Sequence, residues 1–190
     1  HSGAGSSGLP TVGYTTSGIA MFSICVNEVI PPPANDNICG AVGLTVGATC
    51  TPTSGTSITA TASPQAVCGG TADDDVWYSF VAPVANPVVT VQSGTGYNAH
   101  LQVFSSSDNT CTGTLTSLGC VNSSSTGGVE TFTGSGLSIG NTYFIRIYHT
   151  ASGAATGVFT VCVTATVPSC ASGFSPANGA NASSTSQTLS

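Results

Sequence analysis

The chain of 190 residues has no lysine and a single arginine, Arg146, against seven Asp and Glu. That scarcity of cations excludes nucleic acid as a partner, because phosphates must be neutralised by basic side chains. A polybasic membrane patch is excluded for the same reason. Charged residues make up 4% of the chain, where a soluble domain carries about 25%. Long apolar runs are also missing. Mean hydropathy is +0.31, yet no stretch approaches the roughly 18 residues that cross a bilayer. The most apolar window, Val158 to Val163, is interleaved with Thr. No window holds helical periodicity over three turns. No C-x-x-C pair occurs, which removes zinc knuckles and thioredoxin-type sites. His1 to Pro10 lacks a charged n-region and an apolar h-region, so the chain reads as mature or as an excerpt.

What replaces charge is hydroxyl. Ser and Thr fill 55 positions, and they must carry the solubility that ions usually provide. With 40% hydrophobic residues the chain also lacks the charge-rich, apolar-poor signature of disorder. Eight cysteines place it in an oxidising compartment, secreted or at the cell surface.

Short alternating segments predict strands at Ser57–Ala62, Val76–Val81, Pro87–Gln92, Ala99–Phe104, Leu115–Val121, Val129–Thr133, Thr142–Tyr148 and Gly157–Thr164. Asn, Asp, Gly and Ser clusters separate them at the spacing of a sandwich or jelly roll. Alternation sends Tyr143, Ile145 and Ile147 to one face and Phe144, Arg146 and Tyr148 to the other. It likewise opposes Trp77 to Tyr78, with Trp77 read as core. The fold class expected is all-β: a disulfide-stabilised antiparallel β-sandwich, jelly-roll-like.

An internal echo organises the chain. Tyr14 to Val26 parallels Tyr148 to Val163, aligning Phe22 with Phe159 and Cys25 with Cys162, each followed shortly by proline. Residues 1–30 therefore read as the last strand of a preceding module or as an inter-subunit strand. Pro31–Pro33 is a stiff linker, residues 34–167 form a complete module, and 168–190 begin a following one. Phe22, Ile24, Cys25, Val26 and Cys170 are the expected inter-module residues.

Asn35-Asp36-Asn37-Ile38-Cys39, Cys68-Gly69-Gly70, the run Asp75 to Pro83 and Leu137 to Ile147 together resemble modules of large surface proteins of Bacteroidota-type bacteria. Those modules are similar to bacterial pre-peptidase C-terminal domains, small jelly-roll sandwiches of secreted repeat proteins. Phe174, Pro176, Asn178 and Gly179 resemble the start of a fibronectin-III-like module. The resemblance implies architecture, since such modules accompany proteases, adhesins and filaments alike.

Six cysteines lie within the module. Spacing suggests Cys111–Cys120 across a hairpin, then Cys50–Cys68 and Cys39–Cys162. Cys25 and Cys170 are left to pair with each other or with neighbouring modules. Asp73, Asp74 and Asp75 form the acidic run, with Asn35 and Asp36 as further oxygen donors. Calcium suits such hard oxygens, and the resemblance implies calcium near this strand; the competing reading is a solvated turn. Arg146 is expected to pair with Glu130 or an aspartate. Gly136-Leu-Ser138-Ile-Gly140 matches the nucleophile-elbow pattern, but a strand follows it where that motif needs a helix. His100 and His149 have no carboxylate close in sequence, so a triad lacks support.

No catalysis is expected. The absence of lysine leaves edge strands without their usual protection against pairing with other chains, and low charge permits dense packing. The function expected is a structural subunit or tandem repeat of an extracellular surface filament or adhesin. Its partners would be copies of itself or neighbouring modules, joined by strand complementation and disulfides. The alternative is an accessory carbohydrate-binding module of a secreted hydrolase, its partner a surface glycan stacked on Trp77, Tyr78, Tyr97, Tyr143 or Tyr148.

Overall fold

The computed structural model describes residues 29–151 and 157–166. The described residues form ten strands: β1 (Val42–Gly43), β2 (Val46–Gly47), β3 (Thr53–Thr56), β4 (Val76–Val81), β5 (Val88–Ser93), β6 (Ala99–Ser106), β7 (Leu115–Val121), β8 (Val129–Thr133), β9 (Thr142–His149) and β10 (Val158–Thr164). One sheet has the order β1-β4-β9-β6-β7, the other β2-β10-β5-β8, with β3 also on β10. The expected all-β sandwich is the architecture. Pairing is antiparallel except at β1–β4 and β2–β10, which are parallel and two residues long.

Alternation builds the core between the sheets. Val76, Tyr78 and Phe80 of β4, Tyr143, Ile145 and Ile147 of β9, and Leu101 and Val103 of β6 face Val89, Val91, Phe159, Val161 and Val163. The opposite side of the first sheet carries a second, smaller cluster of Trp77, Phe104 and Phe144. Most expected strands appear within one or two residues of their predicted ends. The exception is Ser57–Ala62, where the ladder with β10 already ends: the Ser57 amide donates to the Gly157 carbonyl and the chain turns, Ala60 N–H meeting the Ser57 carbonyl. The strand lies just before, at Thr53–Thr56, because short Ser, Gly and Thr residues gave no apolar alternation to read.

All six module cysteines are paired, but the pairs are Cys39–Cys111, Cys50–Cys162 and Cys68–Cys120, not those that spacing suggested. Cys111 lies in the β6–β7 connection, whereas Cys120 stands opposite Gln102 within β7. Cys120 stands five residue steps up the strand from Leu115 at the foot of β7, about 16 Å of extended chain, so the two sulfurs cannot meet. Cys162 lies on β10 of the second sheet and bonds Cys50, while Cys68 lies in the segment bonded to β7 of the first sheet through Cys120, so neither of the other two expected pairs forms. Each sheet is instead stapled to its own covering segment.

The two ends of the sandwich are distinct. β4 and β6 start, and β5 and β9 finish, at one end, where Ala99 N–H meets the Ser93 hydroxyl. The chain enters the module there: the Asn35 carbonyl accepts from Trp77 N–H. β10 runs away from that end, and Thr164 faces Val88 at the start of β5. The module is therefore entered at one end and left at the other.

Candidate functional site

The outward face of the first sheet is not open to solvent. Register places Trp77, Arg146, Gln102 and Cys120 in one row across β4, β9, β6 and β7. Tyr148 and His100 stand beside each other in a neighbouring row, their rings stacked 4.9 Å apart. Residues 57–75 cross this face as a strap, pinned through Cys68–Cys120.

Arg146 is at the centre. Its guanidinium lies 5.8 Å from the Trp77 ring and 5.1 Å from the Tyr148 ring, the geometry of a cation between two aromatic faces. It forms an ion pair with Asp75, both side chains wholly buried. Its Nη1 donates to the strap carbonyls of Gln65 and Ala66 and to Gln102 Oε1. Tyr148 donates its hydroxyl proton to the Gly69 carbonyl. One cation thus holds the strap down, and the partner expected among the aspartates is Asp75. Glu130 is used elsewhere: it accepts from the amides and hydroxyls of Ser123 and Ser124. Burial works against its ionisation, but those donors together outweigh it and hold its pKa below the usual range.

The residues considered for calcium are placed as follows. Asp36 accepts from the amide and hydroxyl of Thr61. Asp74 accepts from the Ser57 hydroxyl at 2.8 Å and the His149 amide at 3.0 Å; burial nonetheless raises its pKa. Asp75 faces Arg146 and accepts from Ser63. Asn35 donates to the Trp77 carbonyl. Among the described residues, no three of His, Cys, Asp and Glu form a group that could hold a metal ion. Asp74 and Asp75 act as local anchors for the start of β4, and Asp36 for the module entrance.

His100 Nδ1 lies within hydrogen-bond distance of Asn122 Nδ2 at 2.9 Å and Thr150 Oγ1 at 2.7 Å. Its pKa is lowered, chiefly by burial, with Glu130 opposing and His149 adding to the effect. Neither histidine is brought onto a serine nucleophile. Gly136 and Gly140 both take positive φ, 68° and 84°, so the nucleophile-elbow pattern is a turn leading into β9. The aromatics expected for sugar stacking, Trp77, Tyr78, Tyr97, Tyr143 and Tyr148, are all buried. Phe22, Ile24, Cys25, Val26 and Cys170 lie outside the described residues.

A pocket of about 330 Å³ opens beside the strap, lined by Gln65, Ala66, Gln102, Phe104, Leu115 and Ser117 among others. Within it Gln65 Oε1 is buried without a hydrogen-bond partner. Strand reasoning missed this site because it depends on where a non-strand segment lands.

A family profile described as galactose-binding-domain-like, T9SS-associated, matches residues 34–161. No curated protein matches the chain significantly. Among solved structures the chain is similar to the pre-peptidase C-terminal domain of a collagenase from Bacillus anthracis. The TM-score is 0.40 at 15% identity, over 72% of this chain and 99% of that one.

Proposed function

Because the chain belongs to the T9SS-associated, galactose-binding-domain-like family, and so to a secreted protein, we propose that its module is one unit of a multi-module surface filament or adhesin. It has a structural, non-catalytic role. The observation carrying this reading is the echo of β10 near the start of the chain. Phe22 and Phe159, Cys25 and Cys162, and Pro31 and Pro168 are each 137 positions apart. β10 is bracketed in its own sheet by β5 on one side and by β2 and β3 on the other. Its slot is filled, which supports assigning the echoing segment to a different unit, with Cys25 paired to Cys170 or to a cysteine of that unit. Entrance and exit at opposite ends then favour modules strung lengthwise rather than clustered.

The test is the mass of the native material after full denaturation and reduction, followed by electron microscopy. A chain several times longer than one module, seen as a string of units, is expected. A polymer of separate subunits near 19 kDa, with residues 14–28 laid into a neighbour's sheet, would keep the structural role and replace the covalent string by strand exchange. Isolated single-module particles would overturn both forms.

The pocket beside the strap favours a second reading, a neutral glycan ligand, since its lining joins the apolar Phe104 and Leu115 to the polar Gln102 and Ser117. Titration with a panel of neutral oligosaccharides tests it. Binding abolished by Ser117→Trp is expected; no binding, or binding indifferent to that substitution, removes it.

A further inference from the structure

Thr59 is one of two non-glycine residues with positive φ among the described residues, at 62°. A β-branched side chain in this conformation is a genuine outlier, because Cβ crowds the backbone. The turn alone does not require threonine; glycine would satisfy it without strain. What threonine adds is a hydroxyl, whose one proton is shared between the Pro31 carbonyl at 2.9 Å and the carbonyl of its own neighbour Ile58 at 2.6 Å. The first of these targets lies outside the sandwich, in the proline linker. Two more contacts fix the same corner: the Thr61 amide and hydroxyl on Asp36, and the Asp36 amide on the Pro33 carbonyl at 3.0 Å.

We propose that Thr59 is a clamp that seats Pro31–Pro33 against the module entrance and thereby sets the direction in which the preceding segment departs. Three consecutive prolines are already stiff, with no donors of their own and about 3 Å of rise per residue. A stiff segment fixed at one point becomes a strut rather than a tether. Beyond it stand Val29, 87% exposed, and Ile30, 60% exposed, two adjacent apolar side chains without cover from their own module. Their occupant is the exit end of the preceding module, because the β10 echo ends only a few residues before Val29. That assignment rests on the multi-module reading; the clamp does not.

The experiment is backbone relaxation by NMR on the 190-residue chain, read at the Ile30 amide and at Cα of Pro31 and Pro32. Wild type should show order parameters near those of the strands, about 0.85, and Thr59→Gly should drop them below about 0.6. Thr59→Ser, which keeps the hydroxyl, should restore them. Linker order parameters already below about 0.6 in wild type would overturn the clamp, as would a linker indifferent to Thr59→Gly in a variant whose strand resonances are unchanged. If the clamp holds but the native chain proves to contain one module, only the choice of neighbour falls.

Discussion

Arg146 and Asp75 form a fully buried ion pair on the outer face of the first sheet, although each lies on a strand or strand margin that would ordinarily face water. The desolvation cost of such a pair is large and is offset here by the contact through Asp75 Oδ2, while Asp75 Oδ1 is buried without a hydrogen-bond partner. Removing one partner leaves the other charge stranded. Arg146→Met or Asp75→Asn should each lower stability by about 3–5 kcal/mol, measured as a fall in the urea midpoint at constant slope. The double substitution should recover only part of the loss. Arg146 also holds the carbonyls of Gln65 and Ala66, and Met cannot replace those bonds. Arg146→Lys should behave as a loss too, because a point charge does not match the fork.

The strap depends on the Cys68–Cys120 link as well as on Arg146. This disulfide closes a separation of 52 residues, for which the chain-entropy estimate is about 4 kcal/mol. Replacing both cysteines by serine should cost about that much, with the other two bridges intact. Peptide mapping under non-reducing conditions should yield Cys39–Cys111, Cys50–Cys162 and Cys68–Cys120. Recovery of Cys111 joined to Cys120 would contradict the register of β7.

Acid should weaken the fold in two stages. His100 has a lowered pKa in the folded state, mainly from burial, so between that value and about 6.5 the unfolded chain binds more protons. Its contribution is complete above about pH 6.5 and is lost as pH falls below it. Glu130, whose pKa is depressed, keeps its contribution until pH drops through the carboxylate range. Asp74 acts in the opposite sense, since its raised pKa relieves a penalty on acidification. Urea titrations at pH 7.5, 6.5 and 5.5 should show falling stability, and His100→Gln should flatten that slope.

Calcium should leave the melting temperature unchanged. The ion takes six to eight oxygens, while Asp36 and Asp74 already accept from Thr61, Ser57 and His149. Thermal melts with excess calcium and with chelator should superimpose. A rise with calcium that is lost in Asp74→Asn would reinstate a site at the start of β4.

Much of the fold was legible because strand physics is local. Alternation in Val76–Val81 and Thr142–Tyr148 located β4 and β9 and assigned their faces, including the opposition of Trp77 to Tyr78. What alternation could not convey is that the outward face would be covered. Trp77 and Arg146 point away from the main core yet are wholly buried, because the strap lies over Arg146 while Ile38, Ala41, Cys111 and Leu115 pack on the cluster of Trp77. β3 was displaced by a few residues since Thr53–Thr56 has no apolar rhythm. The disulfide pairing failed for a related reason: sequence distance across a hairpin says nothing about how far up the strand a cysteine stands.

Composition and periodicity by themselves determined a charge-poor, disulfide-bearing all-β module of an oxidising compartment, because each of those properties is set residue by residue. The β10 echo belongs to the same level, being a comparison of one stretch of sequence with another. Tertiary structure alone decided which cysteines meet, which aspartate receives Arg146 and where the chain enters and leaves. Each depends on bringing together groups 50 to more than 100 positions apart, and only the folded register of the two sheets settles which of them touch.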